Sequence, residues 1–408
     1  MINPPNYVGE PTNSILNVQE FGAKGDGITD DTKAFEAAWQ ATCEVKEGVL
    51  LVPAGTFLLQ PITFFGTNCQ ENLTFEVNGE IVAPPNLSGW KGVDFQWIQF
   101  LKFSNGITIQ GNGVIDGRGQ AWWKINSENT PHAIRIAKSN KVTVTGIKIQ
   151  NSPRMHIFFD ECQQVTIFGL TLSSPQESPN TDGIHLSHTQ HVEIYNSIIG
   201  CGDDCVSIQT GSSDVRIHDV QCGPGHGYSI GGLGPNNEEA EVTDVHVYDS
   251  TVADALTGVR IKTWRGGSGF VNNVTFSHLT MTDVKTPIVI DQNYCNGKKD
   301  CTSSSTNAVT ISGVTYENIT GTYIDQSVSL VCSEYQPCKN ILMGTIDLTP
   351  SPTKKTKGIL PQCENAFGRV LTETTPSLKN CLLPEVNAEQ PTAFIASPAF
   401  FAEKIIRE

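Results

Sequence analysis

The chain has 408 residues, a net charge of −15 at pH 7 and a sequence pI near 5.0, which argues against nucleic acid or an anionic membrane as its main partner. Hydrophobic residues are 38% of it and charged residues only 17%, while 37 glycines suit a β protein with many turns better than one built on long charged helices. No run approaches 18 apolar residues, so no transmembrane span is expected, and residues 1–14 lack the basic patch and apolar run of a signal peptide.

Twelve cysteines and sequons at Asn72, Asn86, Asn273 and Asn318 favour an oxidising, secreted setting and a glycosylated chain. Cys295–Cys301 and Cys332–Cys338 read as local staples. Cys205–Cys222 reads as a tie between neighbouring segments, and Cys43–Cys69 and Cys363–Cys381 as bridges near the two ends. Cys162 and Cys201 are left over, either buried or paired with each other. No CxxC or HxxxH spacing supports a zinc site.

In chain order, Ser14 to Phe21 reads as a short strand, and Gly22 to Gly27 as a turn cluster. From Asp30, the placement of Ala34, Phe35, Ala38 and Trp39 predicts an amphipathic helix capped by Thr29 or Asp30. Its expected job is to cover the open end of a sheet. No second helix is predicted.

The chain then repeats itself. Units begin at Asn105, Asn140, Gln163, Gln190, Ser213, Thr243, Asn272 and Asn307, at intervals of 35, 23, 27, 23, 30, 29 and 35 residues. Each has a polar turn and then alternating apolar and polar residues, the two-residue period of a half-buried strand. Units as short as 23 residues are too small for propeller blades and fit single coils of a parallel β-helix. The expected fold is all-β: one domain over 1–408, with a strand and capping helix in 15–75, coils in 76–349 and a C-terminal cap in 350–408. Phe394, Ile395, Phe400 and Phe401 of the tail are expected to pack on the solenoid.

Four polar groups stand out: Asn180-Thr-Asp-Gly, Gly202-Asp-Asp-Cys, Gly225-His-Gly and Arg260-Ile-Lys. Asp182, Asp204 and His226 follow one another at 22 residues, and the longer interval to Arg260 contains an insertion, Gly231 to Glu241, read as a bulging loop. If coils stack at about 4.7–4.9 Å, Asp182, Asp203, Asp204 and His226 meet, with Arg260 and Lys262 a coil further on. Asp203 and Asp204 both reach the cleft only if Gly202 permits a turn. Clustered carboxylates repel, so at least one keeps its proton to higher pH, and a protonated acid beside an ionised one is the equipment of glycoside hydrolysis. Arg260 and Lys262 could hold a sugar carboxylate, Tyr294 could stack on a sugar, and His185 shares Arg260's outward phase as a subsite candidate. An anionic polysaccharide suits so acidic a chain only where cations gather locally.

These four motifs, in this order and spacing, resemble those of the polygalacturonases, glycoside hydrolase family 28. Phe21-Gly-Ala-Lys-Gly-Asp-Gly with Thr29-Asp-Asp-Thr resembles the N-terminal segment of its plant-type members. The resemblance implies a right-handed parallel β-helix that hydrolyses α-1,4 bonds of de-esterified homogalacturonan with inversion and without metal or other cofactor. By position it makes Asp203 the general acid, with His226 assisting its proton and Asp182 and Asp204 activating water. Arg260 and Lys262 bind the substrate carboxylate, and Tyr294 and Asn180 contact substrate. The expected enzyme is monomeric, of the extracellular space and cell wall, with a proteinaceous inhibitor as a candidate partner; endo action is favoured, but endo against exo attack depends on whether loops close one end of the cleft. The rival readings are a calcium-dependent pectate lyase and a non-catalytic pectin-binding β-helix.

Overall fold

The computed structural model describes residues 15–90, 95–125, 129–296 and 306–384. Ile15–Asn17 pairs in parallel with Val49–Val52, and parallel pairing then continues strand upon strand to Ala366–Val370. Among the described residues the ladders form one sheet of 20 strands, which bends with the coil, and one of 11, each successive strand lying on the last. This is a right-handed parallel β-helix, as the repeats and the resemblance lead one to expect. Stacking begins before residue 76 and ends after 349, so the coils extend beyond both of the expected boundaries.

The repeat has a simple physical basis. Val142, Val165, Val192, Val215, Val245, Val274 and Val314 occupy one register position, and all are buried. Each valine follows a residue with positive φ: Lys141, Gln164, His191, Asp214, Asp244, Asn273 and Gly313 lie between 51° and 64°. That left-handed bend turns the chain into the next strand, and polar or small residues tolerate it better than bulky apolar ones. Hence the polar pair that opens each unit. The pairing also corrects the last unit: Ser312-Gly313-Val314, not Asn307-Ala308-Val309, takes the place of Asn272-Asn273-Val274. The Asn307 segment has the same alternation but lies ahead of the bend.

The expected capping helix is Thr32–Cys43, with Phe35, Ala38 and Trp39 buried. Phe35 meets Phe57 edge-on with ring centroids 5.7 Å apart, and Trp39 meets Phe64 at 5.3 Å and Phe103 at 5.6 Å. Burying each such side chain contributes roughly 1.5–3 kcal/mol. The N-cap residue is Asp31 rather than Thr29 or Asp30, and its carboxylate accepts from the N–H groups of Lys24 and Gly25 at 2.6 and 3.1 Å. Asp30 reaches over it and accepts from the Thr32 N–H at 3.1 Å. A second helix, Gln120–Ile125, was not expected; it buries Trp122 edge-on against Trp90. No helix among the described residues is long and apolar enough to cross a membrane.

Cys43–Cys69, Cys205–Cys222, Cys332–Cys338 and Cys363–Cys381 are bridged as expected. Cys162 and Cys201 are free and buried, which removes the alternative that they pair. Cys301 and the tail residues Phe394, Ile395, Phe400 and Phe401 lie outside the described residues.

Candidate active site

The 11-stranded sheet carries the site. Inward columns of Ile184, Val206, Tyr228 and Val259, and of Leu186, Ile208, Ile230 and Ile261, fill the core. Between them the outward column runs His185, Ser207, Ser229, Arg260. Alternation of faces along a strand turns the polar column away from the core, with Ser207 and Ser229 still buried beneath the cleft. Asp182, Asp204 and His226 each stand two residues ahead of Ile184, Val206 and Tyr228, so the 22-residue interval is one coil. The Gly183 N–H donates to the Asp204 carbonyl at 2.9 Å, and the Cys205 N–H to the Gly227 carbonyl at 2.8 Å, fixing the rungs.

Two glycines allow the acids and the histidine to reach the groove. A Cβ on Gly202 would lie 1.9 Å from the Ser178 carbonyl oxygen, so only glycine lets the chain pass that close. Past it, Asp203 and Asp204 leave the strand alternation and both face the cleft, as the expected turn requires. Gly227 has φ +79°, and a Cβ there would meet the carbonyl oxygens of Thr257 and Gly258 at 2.2 Å. Glycine therefore fixes the strand entry right after His226.

All nine of the candidate residues line one cleft of about 660 Å³: Asn180, Asp182, His185, Asp203, Asp204, His226, Arg260, Lys262 and Tyr294. The supposed insertion is shorter than expected. Tyr228–Leu233 and Glu239–Ala253 are strands, and the turn between them, with Leu233 to Pro235 and Glu238, forms part of the cleft wall.

The three carboxylates have different surroundings. Asp204 is 2% exposed and accepts from Arg260 Nη2 at 2.7 Å and Ser229 Oγ at 2.7 Å on one oxygen, and from Lys262 Nζ at 2.9 Å on the other. Burial alone would raise its pKa, but Lys262 and Arg260, helped by Ser229, pull it well below the usual carboxylate range. Among the described residues, no Lys or Arg is paired with Asp182. Burial first, and then the charge of Asp203, raise its pKa, and the Nδ1 of His185 at 3.5 Å partly counters them. Asp203 is the most open, with 23% of its side chain exposed; its Oδ1 lies 2.9 Å from His226 Nδ1 and accepts the Asp204 N–H at 2.9 Å. Burial, more than the neighbouring carboxylates, is what raises the pKa of Asp182.

Arg260 and Lys262 share a face, as expected, but in this structure both are bonded to Asp204. Lys262 Nζ also lies 5.3 Å from the centre of the Tyr294 ring, which Trp264 meets edge-on. Burial is the main reason that the Tyr294 hydroxyl keeps its proton beyond the ordinary range. Asn180 takes a left-handed φ of 54° at the cleft rim.

Sequence reasoning passed over several supporting residues. Ser229 donates to Asp204 and accepts from Arg260 Nε at 3.1 Å; its place in the column with Arg260 was the available signal. Thr257 Oγ1 donates to the carbonyl of His226. His156, fully buried, is bonded through Nδ1 to the Asp182 carbonyl at 2.9 Å and through Nε2 to Ser174 Oγ at 2.9 Å. No local pattern in sequence marks it, because both partners come from other turns of the coil.

Asp203, Asp204 and His226 have ligand atoms within 4.8 Å of one another, a spacing a metal ion could use. The donor set argues against one. Both Asp204 oxygens already face cations, and a divalent ion would have to displace or withstand two positive charges.

The pattern of the family described as Glycosyl hydrolases family 28 matches residues 43–367. A polygalacturonase of Chamaecyparis obtusa is 41% identical over 382 residues, covering 90% of this chain and 73% of its own length. A polygalacturonase of Persea americana is 40% identical over 382 residues, covering 90% and 81%. Among solved structures, the polygalacturonase from Erwinia carotovora ssp. carotovora superposes with a TM-score of 0.68 at 24% identity, over 90% of this chain and 99% of that one. The exopolygalacturonase of Thermotoga maritima gives 0.70 at 22% identity, over 90% and 91%. At those identities the superpositions speak for the fold alone.

Proposed function

Because the chain belongs to glycoside hydrolase family 28, we propose that it hydrolyses the α-1,4 bonds between galacturonate units of de-esterified homogalacturonan by an inverting mechanism. The observation that carries this reading is the separation of carboxyl environments within one cleft. Asp204 stays ionised against two cations, Asp182 binds its proton more tightly than an ordinary carboxyl, and Asp203 is the exposed acid beside an imidazole. One open carboxyl beside two buried ones gives an acid that can reach the leaving oxygen and partners placed to hold the water.

In this mechanism Asp203 protonates the glycosidic oxygen. The Asp204 N–H and His226 both act on its Oδ1, which leaves Oδ2 for the transfer, and His226 helps restore the proton. Asp182, once ionised, takes the proton of the attacking water. Asp204 is too weak a base for that step and serves to orient the water while fixing Arg260 and Lys262. Those two and Tyr294 hold a sugar unit and its carboxylate, and Asn180 and His185 contact the chain on the other flank.

The cleft runs on from the acids in both directions, from Arg154 and Met155 to Tyr294 and Asn296, which supports attack within the chain. Disulfides and plant relatives support a secreted, wall-located enzyme, which we take to be monomeric and open to a proteinaceous inhibitor. The test is incubation with polygalacturonate, with and without a chelator, followed by reducing-end assay and sizing of products. New reducing ends with chelator present, no ultraviolet-absorbing product and intermediate oligomers are expected. An absorbing, chelator-sensitive product would favour a lyase, and binding without new ends a non-catalytic role.

A further inference from the structure

We infer that Arg154 forms a second carboxylate-reading subsite, on the side of the acids opposite to Arg260 and Lys262. The inference rests on the hydrolysis reading and deepens it.

Register places the residue. Ile157 pairs with Ile184 and Ile184 with Val206, so Met155 stands one coil before Asp182 and two before Asp204, with Arg154 next to it. Counting the other way, Ser207 pairs with Ser229 and Ser229 with Arg260. Arg154 and Arg260 are therefore each two coils, about 10 Å along the stack, from the coil of Asp203 and Asp204. Both line the same cleft. A basic residue is thus rooted two coils to either side of the acids, although the side chains of Arg260 and Lys262 turn back to Asp204.

That arrangement answers a problem of charge. A galacturonate polymer carries a carboxylate on every unit, and the whole chain carries a net charge of −15. Asp182, Asp203 and Asp204, part of that total, stand at the cleavage point and outnumber the two cations bonded to Asp204 there. On one flank stand Arg260 and Lys262, both bonded to Asp204. On the other, Arg154 lies with His185 on the cleft wall, and its charge, after burial itself, helps to depress the pKa of nearby His132. A guanidinium suits this task because its planar fork matches a carboxylate. Arg154 contacts substrate without taking part in bond cleavage, so it sets affinity and the length of chain required.

The test compares Arg154→Gln and Arg154→Lys with the parent enzyme on polygalacturonate and on galacturonate oligomers of defined length, with thermal unfolding read alongside. Expected for Arg154→Gln is an increase in KM of about tenfold on the polymer with kcat held within about twofold. The shortest oligomer that is cleaved, too short to reach Arg154, shows no change. Arg154→Lys recovers part of the loss, and this variant keeps the test decisive if the Gln form folds poorly. An unchanged KM on the polymer in the folded variants, or an equal rise on the shortest oligomer, would overturn the inference. A parent enzyme that releases no reducing ends would instead overturn the hydrolysis reading on which it stands.

Discussion

Lys262 Nζ is bonded to Asp204 Oδ2 at 2.9 Å across 58 residues of sequence, with 8% and 2% of the two side chains exposed. Two charges sealed off in this way are hard to separate. Lys262→Met leaves the Asp204 carboxylate buried with Arg260 as its one remaining cation, and should lower stability by about 3 kcal/mol. Urea unfolding at neutral pH checks this; a loss under about 1 kcal/mol would contradict the burial argument. The same pair fixes a pH dependence. The folded pKa of Asp204 lies below its ordinary 3.8, so its contribution is complete above that value and is lost as pH falls below it. Asp204→Asn should flatten that acid limb of stability.

Asp203→Asn keeps the shape and the Asp204 N–H contact but removes the proton that the leaving oxygen needs. Turnover should fall by about 10²–10⁴-fold, the usual worth of a positioned acid, while affinity for polygalacturonate and the melting temperature stay close to the parent values. His226→Ala should cost less, because it removes only the partner of that acid. If the two variants lost equal activity, the division of labour between them would be wrong.

Much of this arrangement was legible in sequence, and the reason is geometric. A solenoid turns sequence period into distance, so the 22-residue steps from Asp182 to Asp204 to His226 translate into single rungs. The apolar columns at Val192 and Val215 are legible for the same reason. What was hidden depends on relations that no period carries. The side chains of Arg260 and Lys262 turn back by two coils to Asp204, whereas their positions suggested only a site for substrate. The helix Gln120–Ile125 sits between strands and is held by Trp122 against Trp90, a contact with no local signal. The slip at Asn307 shows the converse hazard, a segment with the right alternation on the wrong side of the bend.

The raised pKa of Asp182 sets the acid limb of kcat/KM if this group must ionise to act as base. Burial and Asp203 hold the proton on, so the limb should lie above the ordinary 3.8. His185 acts in the opposite sense, lowering that pKa through its hydrogen bond and charge. Removing it with His185→Leu should therefore move the limb to higher pH, with less effect on the rate at the plateau. A shift to lower pH, or none, in a pH–rate profile would mean that Asp182 is not the group being titrated.

His156 is the residue through which the packing beneath the sheet reaches the chemistry above it. Burial lowers its pKa, so the ring is neutral and one nitrogen carries the proton. The Asp182 carbonyl can only accept, which puts that proton on Nδ1 and leaves Nε2 to accept from the Ser174 hydroxyl. The same carbonyl also accepts the backbone N–H of His156 at 2.8 Å, so two bonds from one residue hold the peptide that presents the Asp182 carboxyl. His156→Phe keeps the bulk, removes both ring bonds and strands the Ser174 hydroxyl. It should destabilise the protein by about 1–3 kcal/mol. Because Asp182 is then less firmly aimed, kcat should fall with KM little changed, and His156→Asn, which can still donate, should recover part of it. A loss of stability with kcat intact would show that this imidazole supports the fold and nothing in the groove.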